Sequence, residues 1–213
     1  MKEKIIKGLK WFYQSFIWLF IVLLALDIAT KQIILSFKQE AGSVISDWKF
    51  VHISYILNTN AAFGLGSNNP DVSRTIYLIV ATLVTIGLIV YMVLKRKDMK
   101  LFIRACLVLV VTGAIGNMID RTFYGPIEYG NVRPLFSGSV VDWIDFYWFW
   151  PFVFNIADSC IVIAAFMLII YVIVGEVKDV MARRKAEASD TKILSKSEQE
   201  RLEQDKKSEE DNK

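Results

Sequence analysis

The chain has 213 residues, of which 54% are hydrophobic, and its formal net charge is +3. So apolar a composition excludes an ordinary soluble domain of this length and indicates a protein that folds in a lipid bilayer. The small basic excess is concentrated in three short segments, which indicates membrane topology rather than nucleic-acid binding.

Four stretches are long and apolar enough to cross a membrane, which takes roughly 20 predominantly apolar residues. They lie at about 11–34, 75–94, 101–119 and 152–174. The first follows several lysines, as a secretory signal does, but it lacks a clear small-x-small cleavage site and three more spans follow it. We therefore predict that it is retained, and that residues 1–185 form an all-α membrane domain with four transmembrane helices. Residues 186–213 mix charges with few apolar anchors, which predicts a cytoplasmic tail, disordered or partly helical.

The connections between the predicted spans differ in basic content. Lysines are dense in the first ten residues, the segment KRKDMK at 95–100 is largely basic, and Lys178 and Arg183 belong to a basic segment after the fourth span. The long connections 38–74 and 120–151 hold far fewer basic residues for their length. By the positive-inside rule both termini and the short connection are cytoplasmic, and the two long connections face outward.

Polar residues at membrane depth collect at the outer ends of the predicted spans. In LDIATKQI, Asp27 and Lys31 are four positions apart, so a helix places them on one face where they can form an ion pair. In GAIGNMIDR, Asn117, Asp120 and Arg121 share a face, and the glycines beside them permit close helix approach. Each group alone can mark an interfacial helix end, but helix packing explains three polar groups on one face less well.

Further carboxylates precede and begin the fourth span. Asn155 and Asp158 are three positions apart and are neighbours on that helix. A charge near the bilayer centre costs ~2.5–3.5 kcal/mol, so Asp158 alone could simply mark the end of the span. Upstream, Asp142 and Asp145 lie in SVVDWIDFYWFW, whose aromatic residues favour the outer membrane–water boundary. We interpret Asp145 as solvated, because that is the ordinary state of an aspartate at such a boundary.

The first external connection is predicted to contain a small β-rich region. SDWKFVHISYIL is rich in β-branched and aromatic residues, which favours short strands, and the following NTNAAFGL suits a turn at Asn58 and Asn60. The single histidine, His52, is interpreted as solvent-facing; no cysteine cluster accompanies it, so a zinc site has little support. Cys106 and Cys160 fall in apolar spans and are interpreted as buried packing.

The chemistry is narrowed by elimination. The sequence has no G-x-S-x-G elbow, Walker loop or dinucleotide fingerprint, and the outer side is rich in carboxylates instead. Two carboxylates that are forced together share a proton, so that one can act as a general base on water and the other as a general acid. This favours a hydrolase. A proton-conducting transporter would distribute acidic residues across the membrane depth, and a structural scaffold would leave the polar cluster unexplained.

Five motifs, in this order along the chain, resemble those of the lipoprotein signal peptidase (signal peptidase II) family: DIATK, NTNAAFGL, GAIGNMIDR, VVDWIDF and FNIADS. The resemblance covers about residues 11–175. It implies an aspartyl endopeptidase of the bacterial cytoplasmic membrane that cuts prolipoproteins immediately before a cysteine carrying diacylglycerol. It implies no cofactor and no metal, with prolipoproteins and membrane lipids as partners, and we expect a monomer.

The resemblance also assigns residues. The catalytic pair corresponds to Asp142 and Asp158. The residues that bind substrate or orient the pair correspond to Asp27, Lys31, Asn58, Asn117, Asp120, Arg121 and Asn155. Two departures stand out: Asn60 occupies a position where the family usually has glycine, and the segment 122–139 is far longer than expected. Its glycines and prolines suit a loop, and we predict an external flap over the site.

Overall fold

The computed structural model describes residues 2–37, 40–58, 70–123 and 138–210 of the chain. Within these ranges the helices are α1 (Lys2–Ser15), α2 (Ile17–Ser36), α3 (Pro70–Leu94), α4 (Leu101–Phe123) and α5 (Ile156–Glu210). Stretches long and apolar enough to cross a membrane are Ile17–Ser36, Thr75–Leu94, Leu101–Phe123 and Ile156–Lys185. The predicted architecture of four membrane-spanning helices is therefore confirmed.

The first predicted span is divided into two helices at Phe16. Phe16 has φ 57° and ψ 17°, a left-handed conformation that is unusual for a bulky residue. Ser15 stabilises the break, because its Oγ accepts the Ile17 N–H at 3.3 Å and donates to the Phe12 carbonyl at 2.8 Å. The prediction that the span begins near residue 11 is wrong; it begins at Ile17, and α1 is a separate helix.

The small β-region is an antiparallel sheet of order β1-β2-β3-β4. Its strands are β1 (Ser43–Asp47), β2 (His52–Asn58), β3 (Val140–Asp145) and β4 (Val153–Phe154). The strands predicted in the first external connection are therefore confirmed. The sheet packs on α2 through a cluster of Ile34, Tyr55 and Val141. Asp142 pairs with Ile56 across β2 and β3, and Asn58 pairs with Val140, so the sheet brings Asn58 beside Asp142.

The fourth span also begins later than predicted. Val153 and Phe154 pair with β3 as a strand, and the helix starts at Ile156 instead of residue 152. The physical reason is Asn155, whose Oδ1 accepts the Asp158 N–H at 2.9 Å and so caps the helix. Beyond the span, α5 continues to Glu210, so the predicted tail is helical up to that residue. Residues up to Met167 and residues from Leu168 form separate compact units, and a boundary at 185 stays a prediction.

Two glycines of α4 allow the helices that carry the polar residues to approach closely. A Cβ on Gly113 would lie 2.2 Å from the carbonyl oxygen of Ala157, and one on Gly116 would lie 2.6 Å from Oδ2 of Asp27. A larger residue at Gly113 would require the backbone of α5 to move, and one at Gly116 would displace the Asp27 carboxylate. The predicted close approach at both glycines is confirmed, and it fixes the distance of α4 from the first turn of α5.

Two minor predictions have different outcomes. Cys106 and Cys160 are buried and free, as the apolar spans indicated. His52 is not solvent-facing: its ring stacks on Tyr147 with centroids 3.8 Å apart, and its Nε2 lies 2.8 Å from Oδ1 of Asp47. The prediction failed because residue type in a strand does not show which neighbours will cover the side chain, and His52 begins an interior strand between Asp47 and Asp145.

Asn60 and most of the long insertion, residues 124–137, lie outside the described residues. The described ends of the insertion are joined by a hydrogen bond, in which the Gly138 N–H donates to the Arg121 carbonyl at 3.0 Å. The insertion therefore leaves from the C-terminal end of α4 and returns to the same place. Its role as a flap stays a prediction.

Candidate active site

The polar residues singled out in the sequence converge where the C-terminal ends of α2 and α4 meet β2, β3 and the start of α5. Hydrogen bonds and ion pairs connect all of them into one network. Its members are Asp27, Lys31, Asn58, Asn117, Asp120, Arg121, Asp142, Asn155 and Asp158. The first part of the network is built around a lysine, and the second part around two aspartates that amides hold in place.

Lys31 is the centre of the first part, and its side chain is only 2% exposed. Its Nζ lies 2.7 Å from Oδ2 of Asp27 and 2.8 Å from Oδ2 of Asp120, and it donates to Oδ1 of Asn117 at 3.3 Å. An ammonium has three N–H donors, so these three oxygens provide an acceptor for each donor of the buried ammonium. The sequence predicted the contact with Asp27 from its spacing, whereas Asp120 joins from another helix.

The two carboxylates around Lys31 also hold backbone groups. Oδ1 of Asp27 accepts the Ala157 N–H at 2.9 Å, and Oδ2 of Asp120 accepts the Val141 N–H at 3.1 Å. Each bond links a helix to a segment that carries one of the predicted catalytic aspartates. Ala157, which is 1% exposed, is not among the residues predicted from the sequence; the available signal was a small residue between Asn155 and Asp158.

Asn117 joins the two parts of the network, and its amide orientation is determined by its partners. Its Oδ1 accepts hydrogen bonds from Nζ of Lys31 and from Nδ2 of Asn155, the latter at 3.1 Å. Its Nδ2 therefore faces Asp158 and donates to Oδ1 at 2.7 Å. Arg121, one turn later on α4, donates from Nη1 to the carbonyl of Asn117 at 3.4 Å. The lysine thus orients the amide that contacts one predicted catalytic carboxylate.

Asn155 and Asp158 form a reciprocal cap at the start of α5. The Asp158 N–H donates to Oδ1 of Asn155, while the Asn155 N–H donates to Oδ2 of Asp158 at 3.3 Å. Nδ2 of Asn155 donates to Oδ1 of Asp142 at 2.7 Å. Asn155 is fully buried and so ties the helix terminus directly to β3.

Asp142 is buried on the inner face of β3, with 2% exposure. Its Oδ2 accepts a hydrogen bond from Nδ2 of Asn58 at 3.0 Å, and its Oδ1 accepts the bond from Asn155. Burial, and then the nearby charge of Asp158, raise the pKa of Asp142 to about 8. Asp158 is half-buried, so it is the more accessible of the two carboxylates.

Asp145 lies apart from these residues, at the far end of β3. It was predicted to be solvated, but it is half-buried and its Oδ2 accepts a hydrogen bond from Oγ of Ser54 at 3.0 Å. The alternation of side chains along a strand separates its position from Asp142, since the two are three residues apart. Within the described ranges, no group of His, Cys, Asp and Glu side chains has an arrangement suited to a metal ion.

Comparison with known proteins identifies relatives in sequence. Residues 19–174 match the peptidase A8 family, described as signal peptidase (SPase) II. The chain is 35% identical over 163 residues to the lipoprotein signal peptidase of Clostridioides difficile (strain 630), covering 76% of this chain and 97% of that protein. It is 37% identical over 140 residues to the lipoprotein signal peptidase of Desulfitobacterium hafniense (strain DSM 10664 / DCB-2), covering 66% and 79% respectively.

The fold has similar solved structures as well. One, described as a bacterial membrane enzyme solved by the in meso method at 2.3 Å resolution, is 30% identical with a TM-score of 0.59. That match covers 74% of this chain and 86% of the other. Because the family match extends over most of the chain and includes every motif that resembled the family, the chain belongs to the signal peptidase II family.

Proposed function

We propose that this signal peptidase II removes the signal peptide from prolipoproteins with Asp142 and Asp158 as its catalytic pair. The observation that carries the assignment is the environment of these two carboxylates. They come from different elements and lie close enough for the charge of Asp158 to raise the pKa of Asp142. Side-chain amides of Asn58, Asn117 and Asn155 donate hydrogen bonds to them.

The acid and base roles follow from the two environments. Asp142, with a raised pKa, holds the shared proton at neutral pH and serves as the general acid. Asp158 is in the first turn of α5 and is the more accessible of the two carboxylates, so it serves as the general base. Its partial exposure also allows water to reach it.

In the proposed reaction, Asp158 takes a proton from water as the water oxygen attacks the scissile carbonyl carbon. Asp142 gives its proton to the carbonyl oxygen, which produces a neutral tetrahedral diol. The diol then collapses as the proton on Asp158 passes to the leaving nitrogen, and Asp142 recovers a proton from a diol hydroxyl. The products are the signal peptide and a new amino terminus at the modified cysteine, and both carboxyls return to their starting states.

Asp27, Lys31, Asn117, Asp120 and Asn155 act by orientation in this scheme. The lysine cluster fixes the oxygen of Asn117, so that its nitrogen stays on Asp158, and Asn155 holds Asp142 in the same way. Hydrogen bonds from supporting residues of this kind keep catalytic groups in productive geometry. Asn58 donates the second hydrogen bond to Asp142. Arg121 lies in the last turn of α4, where the insertion begins.

The activity is tested by incubating the purified protein with a prolipoprotein that carries diacylglycerol on its cysteine. A faster-migrating product on a gel is expected. The matched control is the same prolipoprotein without the lipid, which we expect to be cut far less, since the site is proposed to recognise the modified cysteine. Absence of cleavage of the modified substrate by folded protein would contradict the proposed function.

We also propose that the protein lies in the cytoplasmic membrane as a monomer, with both termini cytoplasmic and the aspartates near the outer face. The basic segments support this orientation, as do exposed aromatic residues at the turns of the sheet, among them Trp48, Phe50 and Trp148. In a background with Cys106→Ala and Cys160→Ala, a cysteine at Lys49 should react with an impermeant reagent from outside, and one at Asp98 should not. The reverse pattern would contradict the orientation.

A further inference from the structure

A cavity of about 430 Å³ lies away from the carboxylates, toward the opposite ends of the same helices. Its walls come from both sides of the break between α1 and α2, from the last turns of α3 and from the first part of α4. About 20 Å along α4 separates Arg104, in the wall, from Asn117 in the active site, at ~1.5 Å per residue. The volume is that of a small-molecule site, for which about 300–1,000 Å³ is usual.

Most of the cavity wall is apolar. Phe20 of α2, Ile89 of α3 and Val108 of α4 face it, and the apolar part extends along α4 as far as Ile115. From Arg104 to Ile115 the wall runs roughly 16 Å along α4, which is long enough to accommodate an extended hydrocarbon chain. Ile89 and Val93 are 40% and 60% exposed, so the cavity can be reached from the lipid that surrounds the helices.

One end of the cavity is cationic. Arg96, at the end of α3, is exposed, and Arg104, on α4, is half-buried. The Arg104 guanidinium donates to the carbonyl of Gln14 at 3.0 Å and to the carbonyl of Arg96. A guanidinium has five N–H donors, so Arg104 is held in place with donors to spare. Two arginines at the mouth of an apolar slot fit a phosphate group attached to a hydrocarbon chain.

The strained residue of the fold lies at this cavity. Ser15 and Ile17 both line it, and Phe16 between them has the left-handed backbone conformation described above. Non-glycine residues in that conformation persist only where their surroundings hold them, and they are concentrated at ligand sites. The break in the first span is therefore part of the wall of the cavity, and the left-handed conformation of Phe16 places Ser15 and Ile17 in that wall.

We propose that this cavity binds an anionic glycerophospholipid, with its phosphate against Arg96 and Arg104 and one acyl chain along α4. Basic pockets between transmembrane helices on the cytoplasmic side are sites of this kind. That the lipid comes from the cytoplasmic leaflet rests on the proposed orientation. A signal peptide is a poorer occupant, because its amino-terminal region is positively charged and would face two arginines.

The test uses the full chain in a neutral detergent. Phosphatidylglycerol and phosphatidylcholine with the same acyl chains are added separately, and binding is measured by native mass spectrometry and by the shift in Tm. We expect phosphatidylglycerol to be retained and to raise Tm, phosphatidylcholine to do so much less, and inorganic phosphate to have no effect. Equal retention of the two lipids would overturn the proposal, and so would an equal Tm shift from inorganic phosphate.

Variants locate the site. Arg96→Gln should weaken phosphatidylglycerol binding roughly tenfold or more, the effect of losing a charged hydrogen-bond donor. Lys97→Gln is the matched control, because Lys97 is an exposed neighbouring cation that does not line the cavity, and its binding should match the wild type. Ile89→Trp, which fills the apolar part, should reduce retention of the lipid as well. Identical binding by Arg96→Gln and Lys97→Gln would overturn the proposal.

Cleavage of a prolipoprotein in detergent is measured on the same preparations. Arg96→Gln and Lys97→Gln should both cleave, because Arg96 lies at the end of the cavity that is remote from the aspartates, and this shows that both variants are folded. Lipid binding is measured without substrate, so its outcome is independent of the proposed catalytic pair. Equal retention of phosphatidylglycerol and phosphatidylcholine by wild-type protein that cleaves the prolipoprotein would contradict the lipid site alone.

Discussion

Two groups of carboxylates lie side by side in this protein, and they differ in what balances their charge. Asp27 and Asp120 share the ammonium of Lys31, at 2.7 and 2.8 Å. Asp142 and Asp158 contact amides instead, at 2.7 and 3.0 Å for Asp142 and 2.7 Å for Asp158. A cation in direct contact offsets the charge of neighbouring carboxylates, whereas amide contacts leave the charge of Asp158 to add to the effect of burial, which is the larger cause of the raised pKa of Asp142. Burial alone therefore does not distinguish a catalytic carboxylate from a structural one; the counter-charge does.

The two groups are also connected. Asn117 contacts the lysine through its oxygen and Asp158 through its nitrogen, so the ion cluster orients a donor for the catalytic pair. A change in the cluster should therefore affect both stability and catalysis, whereas an isosteric change in the pair should affect catalysis alone. Substitutions that separate these effects test the difference between the two groups.

The largest expected effect is from removing a carboxyl of the pair. Asp142→Asn and Asp158→Asn should each lower the cleavage rate by about 10²–10⁴-fold, because each removes a partner in proton transfer. An amide has the same shape and its oxygen can still accept one of the two hydrogen bonds at each position, so both variants should insert and fold. Gel-shift kinetics on the modified prolipoprotein measure the rate, and Tm in detergent checks the fold. Full activity in either variant would exclude that residue from the pair.

Removing the cation should destabilise the protein most among changes to the cluster. Lys31→Met leaves Asp27 and Asp120 buried without their counter-charge, which we expect to cost about 3–5 kcal/mol of stability. Denaturant unfolding in detergent measures the loss. Adding Asp27→Asn and Asp120→Asn should recover part of it, because neutral amides need no cation. A Lys31→Met variant as stable as the wild type would show that the cluster is not structural.

The spacing between the two groups depends on a glycine. Gly113→Ala places a Cβ against the Ala157 carbonyl, so α4 must move away from α5 and Asn117 must move away from Asp158. We expect a stability loss of about 1–3 kcal/mol and reduced cleavage. Gly87→Ala is the matched control on α3, where an added Cβ meets nothing within 4 Å, and it should stabilise by up to about 1 kcal/mol. Equal effects of the two substitutions would contradict the close approach at Gly113.

The smallest effect is expected outside both groups. Asp145→Asn should change stability by less than about 0.5 kcal/mol and should retain cleavage, since an amide oxygen can still accept the bond from Ser54. Kinetics of this variant beside Asp142→Asn compare two aspartates of one strand. A large loss of activity in Asp145→Asn would place the chemistry further along β3 than we propose.

Local features of the site could be predicted from the sequence. The pair Asp27 and Lys31 follows from spacing on one helix, and the strands at 43–58 follow from residue type. The catalytic assignment came from the family motifs, because spacing alone left several carboxylates equivalent. What connects them is non-local: Lys31 meets Asp120, and Asn155 meets Asp142, across elements far apart in the chain.

The bounds of two spans could not be predicted, for different physical reasons. An apolar, aromatic residue such as Phe16 gives no sign of a left-handed backbone, so the break before Ile17 depends on tertiary packing. Val153 and Phe154 are as apolar as the helix that follows, but pairing with β3 makes them a strand, and Asn155 begins the helix after them.

The dependence of cleavage on pH tests the catalytic assignment most directly. Asp142 must be protonated to act as the acid, and its pKa is raised from 3.8 to about 8 by burial and then by the charge of Asp158. The cleavage rate at saturating substrate should therefore fall as the pH rises through about 8, while Tm shows that the protein stays folded. A rate that is constant or increases through that range would contradict the assignment of Asp142 as the protonated member of the pair.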